Sequence, residues 1–260
     1  AFSYKFRIFE PGTYWYHAHT MGWEQVARGL YGPLIVEGVK DFETDHDITM
    51  MVDDWRLDKD GQIDEASMGS LHDWAHRGRL GNWLTINGKS QFKTSVKINS
   101  RIRLRLINSS NARILKLKLT GGVGLRVSLD GNPSNLASIS KFELGPAQRI
   151  DLLLDVGTEP LFLHDLSSRE KILAGIIEPS SHLGRGIVKR DPLIPNRLES
   201  TPSNLKHAKR LKVHMQGGAR GNLSHASFNG ENYSIRHLAR FEKKVWAFNG
   251  IVGTYEHELG

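Results

Sequence analysis

The stretch GTYWYHAHT, Gly12 to Thr20, sets two histidines one residue apart behind three consecutive aromatic residues. In an extended chain, residues i and i+2 share a face and lie about 6.6 Å apart along it. His17 and His19 therefore project together. That spacing needs distortion to converge on one ion and suits two neighbouring ions. Neutral imidazole binds copper, zinc, iron and nickel alike, so the pair alone does not choose a metal.

Other combinations carry less chemistry. His72 and His76 in LHDWAH have the i, i+4 spacing that brings two imidazoles together on a helix. Asp73 stands where a zinc protease needs glutamate and no third ligand accompanies them, so packing or hydrogen bonding in a loop is expected. Asp53 and Asp54 are adjacent and face opposite ways on a strand, which predicts a structural role near a turn rather than an acid/base pair. Gly121-Gly122-Val123-Gly124 lacks the Lys-Ser/Thr ending and the following helix of a phosphate loop and reads as a hairpin turn. His214 and Met215 offer a soft copper site in principle. The chain has no cysteine, which excludes disulfides, thiolate metal sites and a cysteine nucleophile within these residues.

The elements that must position these residues are strands. Across 260 residues, 26 glycines and 9 prolines punctuate short runs of Val, Ile, Leu and Thr, which predicts an all-β chain. Phe2, Tyr4, Phe6 and Ile8 alternate with no polar lead-in, so the fold is expected to be entered after its start. Pro11-Gly12 is a turn, TYWYHAH a strand, and GPLIVEG a short buried strand closed by Gly38. DHDITMMVDDWRLDKDG opens a new apolar run and ends in a turn, and residues 67–81 read as a loop or one helical turn. NWLTING, TSVKINSRIRLRLIN, ILKLKLT, LRVSLDG and QRIDLLLDV follow as strands, at a spacing that suggests a sandwich or Greek-key barrel. Residues 180–207 are polar and aperiodic and read as an interdomain linker, after which a further strand-like region runs from RLKVHMQGG to KKVWAFNGIVG.

The formal charge of +7 favours anions without naming one. RIRLRLIN and LKLKL alternate basic and apolar residues, as strands with one wet face do, and neither carries the interleaved aromatics that stack bases. No specific nucleic-acid partner is expected. No apolar run approaches the roughly 20 residues that span a bilayer.

The aromatic run Tyr14-Trp15-Tyr16, the pair His17 and His19, and then Gln25, Gly29, Gly32 and Pro33 together resemble the second copper-binding motif of the multicopper oxidases, the family of laccases, cuprous oxidases and bilirubin oxidases. Downstream, DDWRLDKDG, HDWAHRGRLGN, LTINGK, RIRLRLINSSNARIL, LDGNP and LGPAQRIDLLLD resemble the middle cupredoxin domain of bacterial three-domain members, and MQGGARG and VWAFNGIVG the opening of their third. The resemblance implies cupredoxin-like Greek-key β-barrels or sandwiches, one complete and two partial. Residues 1–40 would end domain 1, 41–179 form domain 2, 180–207 link, and 208–260 begin domain 3. It also implies a reaction: four one-electron oxidations at a mononuclear copper, relayed to a trinuclear cluster that reduces O2 to two waters.

On that resemblance His17 and His19 would each bind one of the paired type 3 coppers, with the aromatics packed behind them and Gly29 and Gly32 letting the chain turn away. The other three His-x-His motifs and the type 1 copper cysteine would lie outside these residues, so the chain alone is not expected to turn over. O2 and a small reductant, such as Cu(I) or a phenol, are the implied partners, and a periplasmic or secreted location is implied. Two other readings stay open: a non-enzymatic cupredoxin-fold scaffold or binding protein that has lost its coppers, and a basic module whose DNA binding would be steeply salt-dependent.

Overall fold

Period-two alternation of apolar residues is densest between residues 92 and 165, and there the chain builds two packed sheets. The computed structural model describes residues 3–38, 42–183 and 208–253. The chain divides into two units, Ala1–Asp64 with Leu80–Arg197, and Glu65–Arg79 with Leu198–Gly260.

The first unit opens with β1 (Gly12–His17), α1 (Gly22–Gln25), β2 (Tyr31–Val36) and β3 (His46–Trp55). After the excursion into the second unit come β4 (Trp83–Ile86), β5 (Phe92–Ile98), β6 (Ser100–Asn108), β7 (Leu115–Thr120) and β8 (Gly124–Leu129). β9 (Asn132–Ile139), β10 (Lys141–Leu144), β11 (Arg149–Val156), β12 (Leu161–Asp165) and β13 (Ile172–Leu183) complete it. One sheet has the order β4-β3-β6-β11-β8-β9, the other β10-β7-β12-β13-β5, and β1 pairs with β2 as a separate hairpin. Ile102, Leu104 and Leu106 of β6, Leu152 and Leu154 of β11, and Leu115, Leu117 and Leu119 of β7 belong to one buried apolar cluster. Burying such side chains contributes about 1.5–3 kcal/mol each. The all-β expectation holds.

Several local readings change. β6 does not have a wet face: Arg103 and Arg105 are 6% and 1% exposed and ion-paired, because the β1–β2 hairpin covers the side of the sheet turned away from the core. LKLKL behaves as its alternation implies, with Lys116 exposed and its leucines buried. Gly121 to Val123 is not a hairpin turn, since β7 and β8 belong to different sheets and the glycines carry the chain from one to the other. Gly121 has φ +86°, and a Cβ there would stand 2.1 Å from the Pro160 carbonyl oxygen. β2 is half-buried rather than buried, except at Gly32. The alternating residues 3–9 form no strand, and Tyr4 and Phe9 are exposed.

Residues 180–183 continue β13, where Ser180 stands opposite Lys97 in a parallel pairing with β5. The rest of the polar stretch read as a linker, 184–207, lies outside the described residues, as do 1–2, 39–41 and 254–260.

The second unit holds β14 (Met215–Gly217), β15 (His225–Phe228), β16 (Glu231–Ser234) and β17 (Trp246–Phe248), with β14 paired to β17 and β15 to β16. Ala226, Leu238, Ala247 and Val252 form its small core. The helical turn expected between 67 and 81 is α2 (Leu71–Ala75), whose first turn is capped by the Ser70 hydroxyl accepting from Asp73 N. Two backbone carbonyls of α2 are held from the same unit: Trp246 Nε1 donates to Trp74 O at 2.7 Å and Ala219 N to Ala75 O at 2.8 Å.

Candidate metal centre

His17 is the last residue of β1, opposite Tyr31 at the start of β2, and its side chain is exposed. Strand parity puts Thr13, Trp15 and His17 on one face of the hairpin. The Trp15 ring packs against His17 with centroids 4.4 Å apart and planes inclined by 34°. On this side, therefore, an aromatic ring does back the histidine. His17 Nδ1 lies 3.1 Å from the Ala18 carbonyl oxygen. A carbonyl can only accept, so Nδ1 is the donor in this contact and Nε2 is the ring nitrogen not engaged by it. This is how a metal-ligating histidine is usually prepared, with the second ring nitrogen held by a backbone oxygen.

His19 lies two residues beyond the strand, so the regular strand spacing does not extend to it. The connection is nevertheless tied at several points. Ala18 N donates to Leu30 O at 3.2 Å, Gln25 Nε2 donates to Thr20 O, and Gln25 N donates to Met21 O at 3.0 Å, with Met21 in the left-handed region at φ 45°. Gln25 thus holds the loop that presents His19. Gly29 turns the chain at φ +86° as expected, and a Cβ there would press on the Trp55 ring at 2.9 Å. Gly32 serves differently from expectation: it stands opposite Tyr16, and a Cβ would meet the phenol oxygen at 2.4 Å, so it makes room for an aromatic ring.

Below the histidines, the hairpin is anchored by a buried charge cluster. Thr13 Oγ1 lies 2.8 and 2.9 Å from the two carboxylate oxygens of Asp151 and accepts from Arg105 Nη1 at 2.7 Å. Arg103 Nη2 donates to Asp151 at 2.6 Å, and Arg105 grips Asp47 through Nε and Nη2, both at 2.6 Å. Thr13, Arg105 and Asp151 are almost wholly buried. Nearer the site, the Tyr31 hydroxyl donates to Asp53 Oδ2 at 2.5 Å. Burial first, and then the charge of Asp53, push the Tyr31 phenol well above its usual range.

Asp53 and Asp54 are both buried and hydrogen-bonded, and they sit within β3 rather than beside a turn. Asp54 Oδ2 accepts from Arg113 Nε at 2.8 Å and from Gly81 N at 2.6 Å. His72 and His76 belong to the second unit, exposed and stacked with centroids 4.2 Å apart, and His76 Nδ1 donates to His72 O at 2.7 Å. Facing rings do not aim two lone pairs at one ion. His214 and Met215 are exposed on the same unit, where the His214 backbone bonds Asn249. Among the described residues, no three His, Cys, Asp or Glu side chains gather as a metal-binding group. His17 and His19 fit copper as two nitrogen donors of a larger ligand set.

Sequence reasoning missed Thr13, Tyr31 and the Arg103–Asp151 pair. Parity alone placed Thr13 on the His17 face, a usable signal, whereas the partners in β6 and β11 are set by sheet pairing that spacing does not reveal.

Two family models, each described as multicopper oxidase, match residues 1–41 and 46–160. Laccase-1 of Thanatephorus cucumeris is 28% identical over 170 residues, covering 58% of this chain and 28% of its own length. The cell division protein FtsP of Escherichia coli K12 is 30% identical over 217 residues, covering 74% of this chain and 43% of its own length. The solved structure of a multi-copper oxidase from Pseudomonas thermotolerans superposes with a TM-score of 0.64 at 26% identity, covering 71% of this chain and 44% of that one. The chain spans less than half the length of each, and its fold is all-β and cupredoxin-like.

Proposed function

The chain belongs to the multicopper oxidase family, and on that premise we propose that His17 and His19 are ligands to the paired type 3 coppers of a trinuclear cluster, one ion each. The observation that carries this reading is the exposed His17 ring, held through Nδ1 by the Ala18 carbonyl oxygen, at the end of the hairpin that the first family model covers. When bound, the coppers supply electron storage for reducing O2 to water with electrons from a small reductant such as Cu(I) or a phenol. This chain's residues hold and orient the two imidazoles. Trp15 limits the His17 ring, Gln25 fixes the loop before His19, and the Thr13–Asp151 contact sets the hairpin on its sheet.

The chain would supply one ligand pair of four, with residues 1–40, 41–179 and 208–260 contributing to three cupredoxin domains, although residues 180–183 extend the last strand of the middle one and Glu65–Arg79 groups with the later unit. The middle domain acts as a spacer that carries no copper of its own. A periplasmic or secreted location accompanies this proposal. In the complete protein, His17→Ala or His19→Ala should remove type 3 copper and O2 reduction while the far-ultraviolet circular dichroism stays unchanged. Unaltered copper content and activity in both variants would sink the assignment.

A second reading is a scaffold without copper, favoured by the FtsP relative, which is named for cell division rather than for oxidation. The blue absorbance of a thiolate-bound copper in the complete protein separates the two, since a scaffold lacks it.

A further inference from the structure

The rings on one face of the β1–β2 hairpin form a continuous path from a half-buried phenol to an exposed imidazole. His17 pairs with Tyr31, and Trp15 lies diagonal to Tyr31 across the hairpin. The Tyr31 ring meets Trp15 nearly edge-on, with centroids 6.2 Å apart and planes at 66°, and Trp15 meets His17 at 4.4 Å. At the inner end, the Tyr31 hydroxyl donates to Asp53 Oδ2 at 2.5 Å, while Asp53 Oδ1 accepts from Asp54 N at 2.7 Å. Asp53 is 5% exposed. The backbone donor lies on Oδ1, so the phenol hydroxyl meets the other carboxylate oxygen, Oδ2.

The bond to Asp53 helps anchor this half-buried tyrosine. The same bond has a second chemical meaning, because a phenol gives up an electron readily only when its proton can leave at the same time. A carboxylate already bonded to the hydroxyl takes that proton without any movement of the chain.

We propose that Tyr31 and Asp53 form a redox-active pair that delivers one electron through Trp15 to a high-potential transition-metal ion held at His17, the metal falling by one oxidation state. That ion takes its electron from the Trp15 indole. Tyr31 then restores Trp15: its electron passes to the indole, its O–H bond breaks, and the proton forms a new O–H bond on Asp53 Oδ2. The products are a neutral tyrosyl radical, a neutral Asp53 carboxylic acid and an intact Trp15. A small reductant that supplies one electron, with the proton returning from Asp53, resets the pair. The biological use of this path rests on the proposed metal role of His17. Its chemistry does not, and the test uses no copper.

The test takes the 260-residue chain with Tyr4, Tyr14, Tyr16, Tyr233 and Tyr255 replaced by phenylalanine, which leaves Tyr31 as its one tyrosine. Photogenerated tris(bipyridine)ruthenium(III) serves as the oxidant, and freeze-quenched electron paramagnetic resonance reads the radical. A tyrosyl signal is expected, with 3-fluorotyrosine at position 31 assigning it by its fluorine splitting without disturbing the packing. Trp15→Phe should lose most of the signal. Asp53→Asn should lose it and Asp53→Glu should restore it, and formation should slow in D2O only where the carboxylate is present. Circular dichroism identifies any variant that fails to fold, and the fluorotyrosine and D2O measurements on the folded parent stand without it. No tyrosyl signal in the folded single-tyrosine chain overturns the proposal. So does a signal indifferent to Trp15→Phe and to Asp53→Asn in folded variants. Failure of the copper assignment would show instead as unchanged copper content in His17→Ala.

Discussion

β6 and β7 carry nearly the same pattern, RIRLRL and LKLKL, and meet opposite fates. In β7 the leucines enter the core and the lysines meet solvent, with Lys116 making only a long, exposed contact to Glu143 at 3.6 Å. In β6 both faces are buried, and Arg103 and Arg105 are held by Asp151, Asp47 and Thr13. Alternation therefore reports that two faces differ, not that one of them is wet. What decides is whether another element covers the polar face and whether acids stand ready on its neighbours. Arginine suits the covered face because its planar fork can be satisfied on several sides at once, whereas lysine's compact ammonium holds water strongly and stays in it.

The comparison breaks most visibly at Asp151. Asp151→Asn removes the charge that pairs two buried guanidiniums and should cost about 3–5 kcal/mol, read as a lower urea midpoint. Equal midpoints for variant and parent would mean that the β6 face is wetter than described. Thr13→Val keeps the shape but removes a donor to Asp151 and an acceptor for Arg105. A loss of about 1–3 kcal/mol is expected, with faster amide exchange along β1 and recovery in Thr13→Ser.

A smaller effect tests whether β7's lysines act electrostatically at all. His164 stands opposite Lys118, and burial first, then Lys171 and Lys118, hold its pKa below the usual histidine value. A depressed histidine favours the neutral form in the folded state. Its contribution is fully present above about 6.5, the unfolded value, and is lost as pH falls through the lower folded value. Lys118→Met should raise the His164 midpoint part of the way back in an NMR titration, since burial remains; an unmoved midpoint would assign the whole shift to burial. Smallest of all, Lys116→Ala should change stability by less than about 0.5 kcal/mol in chemical denaturation.

Local signals carried the sequence reading a long way. Pro11-Gly12, the aromatic run and Gly29 marked the hairpin; four alternating stretches beyond residue 92 marked β5 to β8 and β11 of the sheets, the first of them running β5 and β6 together; and the His-x-His pair stood out without help. What stayed hidden depends on partners distant in sequence. Thr13 and Asp151 meet across the whole length of the first unit, and no local pattern at either residue anticipates the other. β9 was not singled out because NPSNLASI is mostly exposed and carries no clean apolar period. The glycines at 121 and 122 signalled a change of direction but not a change of sheet. Tyr31 and Asp53 looked like an ordinary strand tyrosine and one of two adjacent acids until the contact between β2 and β3 brought one to the other.

The segment Glu65–Arg79 leaves the first unit between β3 and β4 and completes the second, where Trp246 and Ala219 hold its carbonyls. The gene therefore does not store the two units as consecutive blocks. Recombination that exchanged the later unit between relatives with one crossover after Arg197 would import Trp246 without the loop it bonds. The indole donor would then face whatever carbonyl the recipient's loop offered in place of Trp74. Inheritance of this module as a working whole requires two stretches of sequence to travel together.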